Sequence, residues 1–225
     1  MPAWPGFLGP SSPVQAPYAN CERAINLFYE PQDVQTGGPA LLSAPGFSSY
    51  LTVTDLGGRA LATINARTFA VMGAGVYEAF QTATATKYGS VVQNAQLAQI
   101  ISNGIGGDEL GIASGDNFYV LNLTTNVLSA AVLTGTATQI GMIDGYGLAF
   151  NAGTLRLSDL NDFTTWDPTQ FAIRSSAPDN WLALCVNAPD IWLIGEHSGD
   201  VWYDAGAFPF PLAPRPGVTF PYGIA

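Results

Sequence analysis

Four stretches of this chain alternate apolar with small or polar positions, break at a Gly- or Asn-led turn, and then resume. They are RTFAVMGAGVYEAF (67–80), ELGIASGDNFYVLNL (109–123), YGLAFNAGTLRLSDL (146–160) and DIWLIGEHSGDVWYDAG (190–206). Period-two alternation around a short turn predicts a β-hairpin in each. The turns are anchored at Gly73, Gly115, Asn151 and Gly195, spaced by 42, 36 and 44 residues. An apolar run ending in Asn or Asp plus a small residue precedes every hairpin: GRALATIN, LAQIISNGI, ATQIGMIDG and NWLALCVNA. These predict innermost strands. LTTNVLSAAVL and DFTTWDPTQFAI, behind the second and third hairpins, suit outer strands. A repeat of about 40 residues built on a central hairpin predicts one four-stranded propeller blade per repeat. Any Gly-rich β-protein shows hairpins at loose intervals, but here the order within each unit repeats as well. The fold class is therefore all-β and propeller-like, with about four recognisable blades. They form either a small ring or part of a larger one.

Residues 1–46 follow another pattern. They hold Pro2, Pro5, Pro10, Pro13, Pro17, Pro31, Pro39 and Pro45, half of the 16 prolines. Each proline fixes its own φ and pushes its predecessor toward extended backbone. CERAINLFYE is the one run there that reads as a strand. The segment is an extended arm with one strand, and its aromatics (Trp4, Phe7, Tyr18, Phe28, Tyr29) and Leu8 need a surface to cover them. Blades are expected over 47–225. The final RPGVTFPYGIA reads as the start of a fifth unit, so the last unit is incomplete.

Composition agrees with the β reading and narrows the chemistry. Charged residues make up 11%, with 25 Gly and 16 Pro. With Lys87 the only lysine and five glutamates, no surface helix with Glu–Lys pairs can be written. The net charge is −10, and the arginines (23, 59, 67, 156, 174, 215) form no basic stripe, which argues against a phosphate-gripping surface. Cys21 and Cys185 lack metal-ligand spacing, and each reads as a small core hydrophobe. MPAWPGFLGPSS does not read as a secretory leader, and no run has the length of a membrane helix.

Catalytic and metal motifs are weak. DLNDFTTW (159–166) places only Thr165 and Trp166 of an Asp-box, with Asp159, Asn161 and Phe163 at its other positions. His197, between Glu196 and Ser198, reads as an exposed turn residue, because sequence neighbours seldom converge on one reacting atom. Asp108, Glu109 and Asp116 lack the alternate spacing of a calcium loop. Phe118/Tyr119 and Trp202/Tyr203 read as core between blades.

Three stretches together resemble the tail hub, or packaged-DNA stabilisation, proteins of short-tailed bacteriophages, the tail accessory factors. In CERAINLFYE followed by GGPALLSAPGF, Cys21, Arg23, Asn26 and Leu27 match that family's N-terminal segment. Phe28 stands near its aromatic position, and Leu42, Pro45 and Gly46 match its turn. MIDGYGLAF with LRLSDLNDFTTWDPTQFA looks like its Asp-Gly-Tyr strand and Thr-Trp-Asp turn. IWLIGEHSGDVWYDAGAFPFPLAPRPGV carries Trp202, Tyr203, Phe208, Pro209, Phe210, Pro216 and Gly217 in the family's order. Members of that family run longer and continue with further blades. The resemblance implies a structural virion protein of the phage tail, made in the host cytoplasm, with no enzymatic activity, metal, cofactor or membrane partner. It implies a ring, a hexamer, below the portal and its adaptor. That ring would extend the DNA channel and retain the genome, which passes through without specific binding. The arm (Trp4, Phe7, Leu8, Tyr18, Arg23, Asn26, Phe28, Tyr29) is the candidate contact with a neighbouring subunit or the adaptor. The acidic balance would then line a lumen from which DNA phosphates are repelled. A tail nozzle protein of similar architecture is the alternative within the tail, and a carbohydrate-binding or carbohydrate-processing propeller is the alternative outside it.

Overall fold

The computed structural model describes residues 27–30, 40–43, 46, 48–104, 106–151, 153–174 and 176–224. The chain divides into two units, Met1–Tyr50 and Leu51–Ala225. In the first, β1 (Leu27–Glu30) pairs antiparallel with β2 (Ala40–Ser43), Phe28 opposite Leu42 and Tyr29 opposite Leu41. The arm thus holds a second strand beyond the one read from the sequence. Leu41 and Leu42 supply its apolar centre between Gly-Gly-Pro and Pro-Gly.

The second unit consists of four four-stranded antiparallel sheets, each in sequence order. Sheet 1 is β3 (Gly58–Ile64), β4 (Arg67–Met72), β5 (Gly75–Ala79) and β6 (Ala85–Ser90). Sheet 2 is β7 (Gln99–Ser102), β8 (Glu109–Ser114), β9 (Asn117–Asn122) and β10 (Val127–Ala130). Sheet 3 is β11 (Gln139–Ile143), β12 (Tyr146–Asn151), β13 (Thr154–Leu160) and β14 (Phe171–Ile173). Sheet 4 is β15 (Trp181–Asn187), β16 (Asp190–Gly195), β17 (Gly199–Asp204) and β18 (Leu212–Phe220). Every hairpin predicted from alternation is the central pair of one sheet, and every predicted innermost strand is its first. The tight turns carry positive φ where expected, at Gly73 (+53°) and Gly115 (+59°), where a side chain would be strained. In the third hairpin the turn lies past Asn151, at Gly153 (+79°). RPGVTF opens no fifth sheet. It belongs to β18, whose residues 212–220 pair with β17 and complete the fourth.

Each pair of successive sheets encloses a buried apolar cluster. Phe69, Val71 and Val76 of sheet 1 meet Leu110, Ile112 and Leu121 of sheet 2. Leu148, Phe150, Leu155 and Leu157 of sheet 3 meet Trp181, Ile191, Leu193 and Leu212 of sheet 4. The middle junction differs. There β8 and β12 present Gly111, Ala113, Gly147 and Ala149, and the gap is filled by Phe118, Phe163 and Trp166. A Cβ on Gly147 would stand 2.7 Å from the Phe163 ring, and one on Gly111 2.6 Å from Phe118. The three aromatics pack edge-on, Phe118 to Phe163 at 6.0 Å and Phe118 to Trp166 at 5.0 Å, the arrangement that ring quadrupoles favour. Among the described residues no such cluster joins sheet 4 to sheet 1.

The first strands β3, β7, β11 and β15 stand side by side. Gln99 accepts a hydrogen bond from the Ile140 amide (2.7 Å), and Gln139 accepts one from the Leu184 amide (2.6 Å). In sheets 2 and 3 a glutamine thereby ties the first strand to that of the next sheet. Cys185, expected in the core, is exposed. It lies opposite Trp192 in the register, on the side of sheet 4 that faces no other sheet.

Candidate functional site

The ends of the four first strands surround a cleft of about 570 Å³. Its walls are Ala62, Ile64, Ile100, Ile101, Ser102, Ile140, Gly141, Met142, Val186 and Ala188, with no charged side chain. This follows from the predicted innermost strands, whose apolar runs face both the junctions and the axis. The cleft lacks the carboxylate, arginine and tryptophan set that a glycan-processing funnel would need.

The charged groups lie at the junctions instead. Arg59 is 8% exposed and crosses from sheet 1 to sheet 2. Its guanidinium donates to the carbonyls of Gly73 (3.2 Å) and Gln96 (3.1 Å), to Ser114 Oγ (2.7 Å) and to Asn94 Oδ1 (2.9 Å). Arg67, at the other end of the same junction, forks onto Glu78 at 2.8 and 2.7 Å and also donates to the Leu123 carbonyl at 2.9 Å. Arg67 holds the Glu78 carboxyl below the usual carboxylate range. Tyr88 donates to the same carboxylate. Burial, then this bond, push the Tyr88 phenol up. At the junction of sheets 3 and 4, Arg174 lies between Asp179 (2.7 Å) and Asp200 (2.9 Å), its side chain 2% exposed. Asp200 also accepts from Trp181 Nε1 at 3.0 Å and from Ser176. The amide of His197, with Ser198 and Arg174, pulls the Asp179 carboxyl down to about 2. The middle junction has no arginine clamp. Its buried Glu109 accepts from the Phe163 amide at 2.7 Å, and burial raises its carboxyl.

These arrangements account for the sequence motifs. Trp166 is a wedge in the middle junction, and its Nε1 donates to the Phe163 carbonyl at 2.7 Å. Asp162 caps its own loop through Thr164 and Thr165. The His197 side chain is 78% exposed. Ser198 Oγ is held by Asp179 and Arg174, not by the histidine. Asp108 and Asp116 flank opposite ends of β8. Among the described residues no three His, Cys, Asp or Glu side chains group as a metal would require. Trp202 packs edge-on against Trp181 at 5.4 Å in the third junction. Tyr203, read as core, lies instead beneath the Arg215 guanidinium at 4.8 Å, on the face of sheet 4 away from sheet 3. Of the arm residues, Trp4, Phe7, Leu8, Tyr18, Arg23 and Asn26 lie outside the described residues. Phe28 and Tyr29 lie on β1.

Sequence reasoning missed how completely the cations are used. Residues 51–225 contain six Lys or Arg and 14 Asp or Glu. Arg67, Lys87, Arg174 and Arg215 are in ion pairs. Arg59 is saturated by neutral oxygens, and Arg156 lies over the Phe171 ring at 5.5 Å. Asp108, Asp116, Asp144, Asp159, Asp167 and Glu196 are exposed. The surface that solvent meets is therefore anionic, with no cation left unengaged among the described residues of this unit.

Radially stacked four-stranded sheets around an apolar axis define a β-propeller protein. The chain belongs to the phage stabilisation family (bacteriophage P22 Gp10, beta-propeller), whose model matches residues 12–225. It is thus a phage structural protein of a family named for stabilisation, as its motifs implied. No curated protein is significantly similar to it in sequence. Among solved structures it is similar to PorZ, a surface component of the type-IX secretion system of Porphyromonas gingivalis, at 13% identity and a TM-score of 0.52. That match covers 84% of this chain and 25% of PorZ, so the chain spans about a quarter of that relative. It is also similar to the computationally designed Ika4 protein (11% identity, 70% of this chain and 99% of that one, TM-score 0.48). Regucalcin of Agrobacterium tumefaciens matches at 12% identity, over 81% of this chain and 65% of its own, with a TM-score of 0.44. The PorZ likeness bears on fold alone. No helix among the described residues is long and apolar enough to cross a membrane.

Proposed function

We propose that the chain is a ring-forming hub of a phage tail, standing below the portal and its adaptor, where it continues the DNA channel and helps retain the packaged genome. Its work is architectural, not enzymatic. The observation that carries this reading is the disposition of charge. All six cations of the propeller unit bind groups of the protein itself, while six carboxylates face solvent. A surface whose carboxylates outnumber its cations, and whose cations are already paired, offers DNA little counter-charge, so a duplex slides past without being gripped. The packaged DNA is then retained by closure of the ring and its partners, not by adhesion to this surface. The propeller supplies rigidity, since its sheets are locked by apolar clusters and by charged clamps at the junctions. The arm residues Trp4, Phe7, Leu8, Tyr18, Arg23, Asn26, Phe28 and Tyr29 are proposed to contact a neighbouring copy or the adaptor.

The test is particle-based. Virions assembled without this chain should fill with DNA and then lose it, and adding the purified chain to freshly filled particles should restore nuclease-resistant genomes. Particles that keep their DNA equally well without it would overturn the proposal.

A further inference from the structure

The rim of the middle junction is open, where the rims of the other two are closed. At the first junction β10 lies against β6, and Leu128 fills the space beside Gly89, where a Cβ would stand 2.8 Å from it. Arg67 also reaches Asn126 Oδ1 there at 3.0 Å. At the third junction Ala172 of β14 and Leu212 of β18 share one buried cluster. Among the described residues the middle junction shows no such closure. In the register Ser129 lies opposite Val120, and Arg156 lies between Ala149 and Phe171. Val120 and Ala149 belong to the buried cluster of that junction. By alternation, Val127 and Ser129 of sheet 2 and Arg156, Phe171 and Ile173 of sheet 3 face the same gap. Yet Val127 is 58% exposed, Phe171 47% and Ile173 58%. These side chains point toward a neighbouring sheet and still meet solvent. The two sheets thus splay outward into a groove with apolar walls.

Arg156 stands in that groove. Its guanidinium lies over the Phe171 ring at 5.5 Å. Gly135 passes beside it without a side chain, and a Cβ there would stand 3.3 Å from Nε. Among the described residues it is the one cation of the propeller with neither an ion pair nor a hydrogen-bond acceptor. A planar fork of donors without acceptors suits a carboxylate, which accepts two of them side by side. The width of the groove sets the form of the ligand. Packed sheets stand about 10 Å apart, so a rim opening from that spacing admits one extended chain and no DNA duplex. Phe171 and Ile173 lie two residues apart on one face, a spacing of about 7 Å that alternate side chains of an extended chain repeat.

We infer that this groove docks an extended acidic segment of another protein. The segment's carboxylate bridges to Arg156, and apolar side chains two positions to either side seat against Val127, Phe171 and Ile173. This goes beyond the hub reading and is independent of it, since genome retention tests the ring and not the groove.

The probe is an array of random heptapeptides with a fixed centre of Asp, Asn or Lys, read with the purified, labelled full chain. Asp-centred peptides should be retained about tenfold better than Asn-centred ones, the scale of a charge-assisted hydrogen bond. The best of them should carry Leu, Ile, Val or Phe two positions from the centre. Arg156→Gln should erase the preference for Asp, and Arg156→Glu should transfer it to Lys. An arginine that only packs against its ring would give no such reversal. Circular dichroism checks that the sheets are retained. Should the Arg156 variants fail to fold, Ile173→Asp, at an exposed position, should lower retention of Asp-centred peptides about tenfold. Equal retention of Asp and Asn centres by the wild type would overturn the inference, as would a preference for Asp that survives Arg156→Gln or Ile173→Asp. So would retention of a short DNA duplex in place of peptides. A wild-type mass in light scattering that falls in Arg156→Gln would overturn it too, by marking a second copy as the occupant.

Discussion

The outer two junctions of the propeller and the middle one reach the same burial by opposite means. Between sheets 1 and 2, and between sheets 3 and 4, large aliphatic and aromatic side chains of the central strands face each other, and a buried arginine closes the seam. Between sheets 2 and 3 the central strands retreat to glycine and alanine, aromatics from β9 and the β13–β14 loop fill the space, and the buried charge is a carboxylate. Successive blades are therefore not equivalent copies. They come as two tight pairs joined by an aromatic wedge. A repeat of about 40 residues in the sequence conceals an alternation of about twice that length in the packing.

The largest effect should come from emptying the wedge. Phe163→Ala leaves a ring-sized void lined by backbone that cannot close in, and a loss of about 3–5 kcal/mol is expected in denaturant unfolding. Leu193→Ala, in an aliphatic junction able to settle, should lie lower in the range of about 2–5 kcal/mol. Next come the two arginine clamps, which look alike and should not behave alike. Arg174→Ala strands the buried carboxylate of Asp200, and losing one partner of a buried ion pair typically costs about 3–5 kcal/mol. Arg59→Ala strands only neutral acceptors, at about 1–3 kcal/mol. Equal losses from the two would show that the Asp200 charge is already compensated in another way.

Acid should sharpen the same contrast. The folded Asp179 carboxyl, held at about 2 chiefly by the His197 amide, titrates below its unfolded value of 3.8. Its contribution is therefore complete above about pH 4 and is lost as pH falls toward 2. Unfolding midpoints across that window should fall less in Asp179→Asn than in the wild type. The smallest effect belongs to Glu109→Gln. Burial raises the Glu109 carboxyl, so its ionised form is the strained one, and stability from this group declines as pH rises through its folded pKa. The amide side chain can still accept from Phe163. At neutral pH the variant should match or slightly exceed the wild type in melting temperature, and a clear drop would mean that the charge itself is needed.

Much of the architecture was legible because alternation and turn chemistry are local. GRALATIN, LAQIISNGI, ATQIGMIDG and NWLALCVNA each became the first strand of a sheet, and each alternating hairpin its centre. Which neighbour a strand's face would meet was not legible. In β8 all six residues of ELGIAS are buried, so alternation along the strand vanishes. DFTTW read as a fragment of an Asp-box, since nothing local shows that Phe163 and Trp166 must fill hollows left by Gly111 and Gly147. The saturation of the cations was hidden for a related reason. Arg59 finds its acceptors 14 to 55 residues away, and Arg174 reaches Asp200 across a junction. Cys185 was misread because the outer face of the last sheet carries the same residue types as a core face.

The glutamines on the first strands bear on solubility. A sheet's first strand is an edge, and the free amides along an edge invite another chain to add itself as a strand. Gln99 and Gln139 occupy the Ile140 and Leu184 amides with side-chain oxygens, so at those points the rim cannot template foreign backbone. Two of the amides beside the apolar cleft are thereby withheld from an incoming strand.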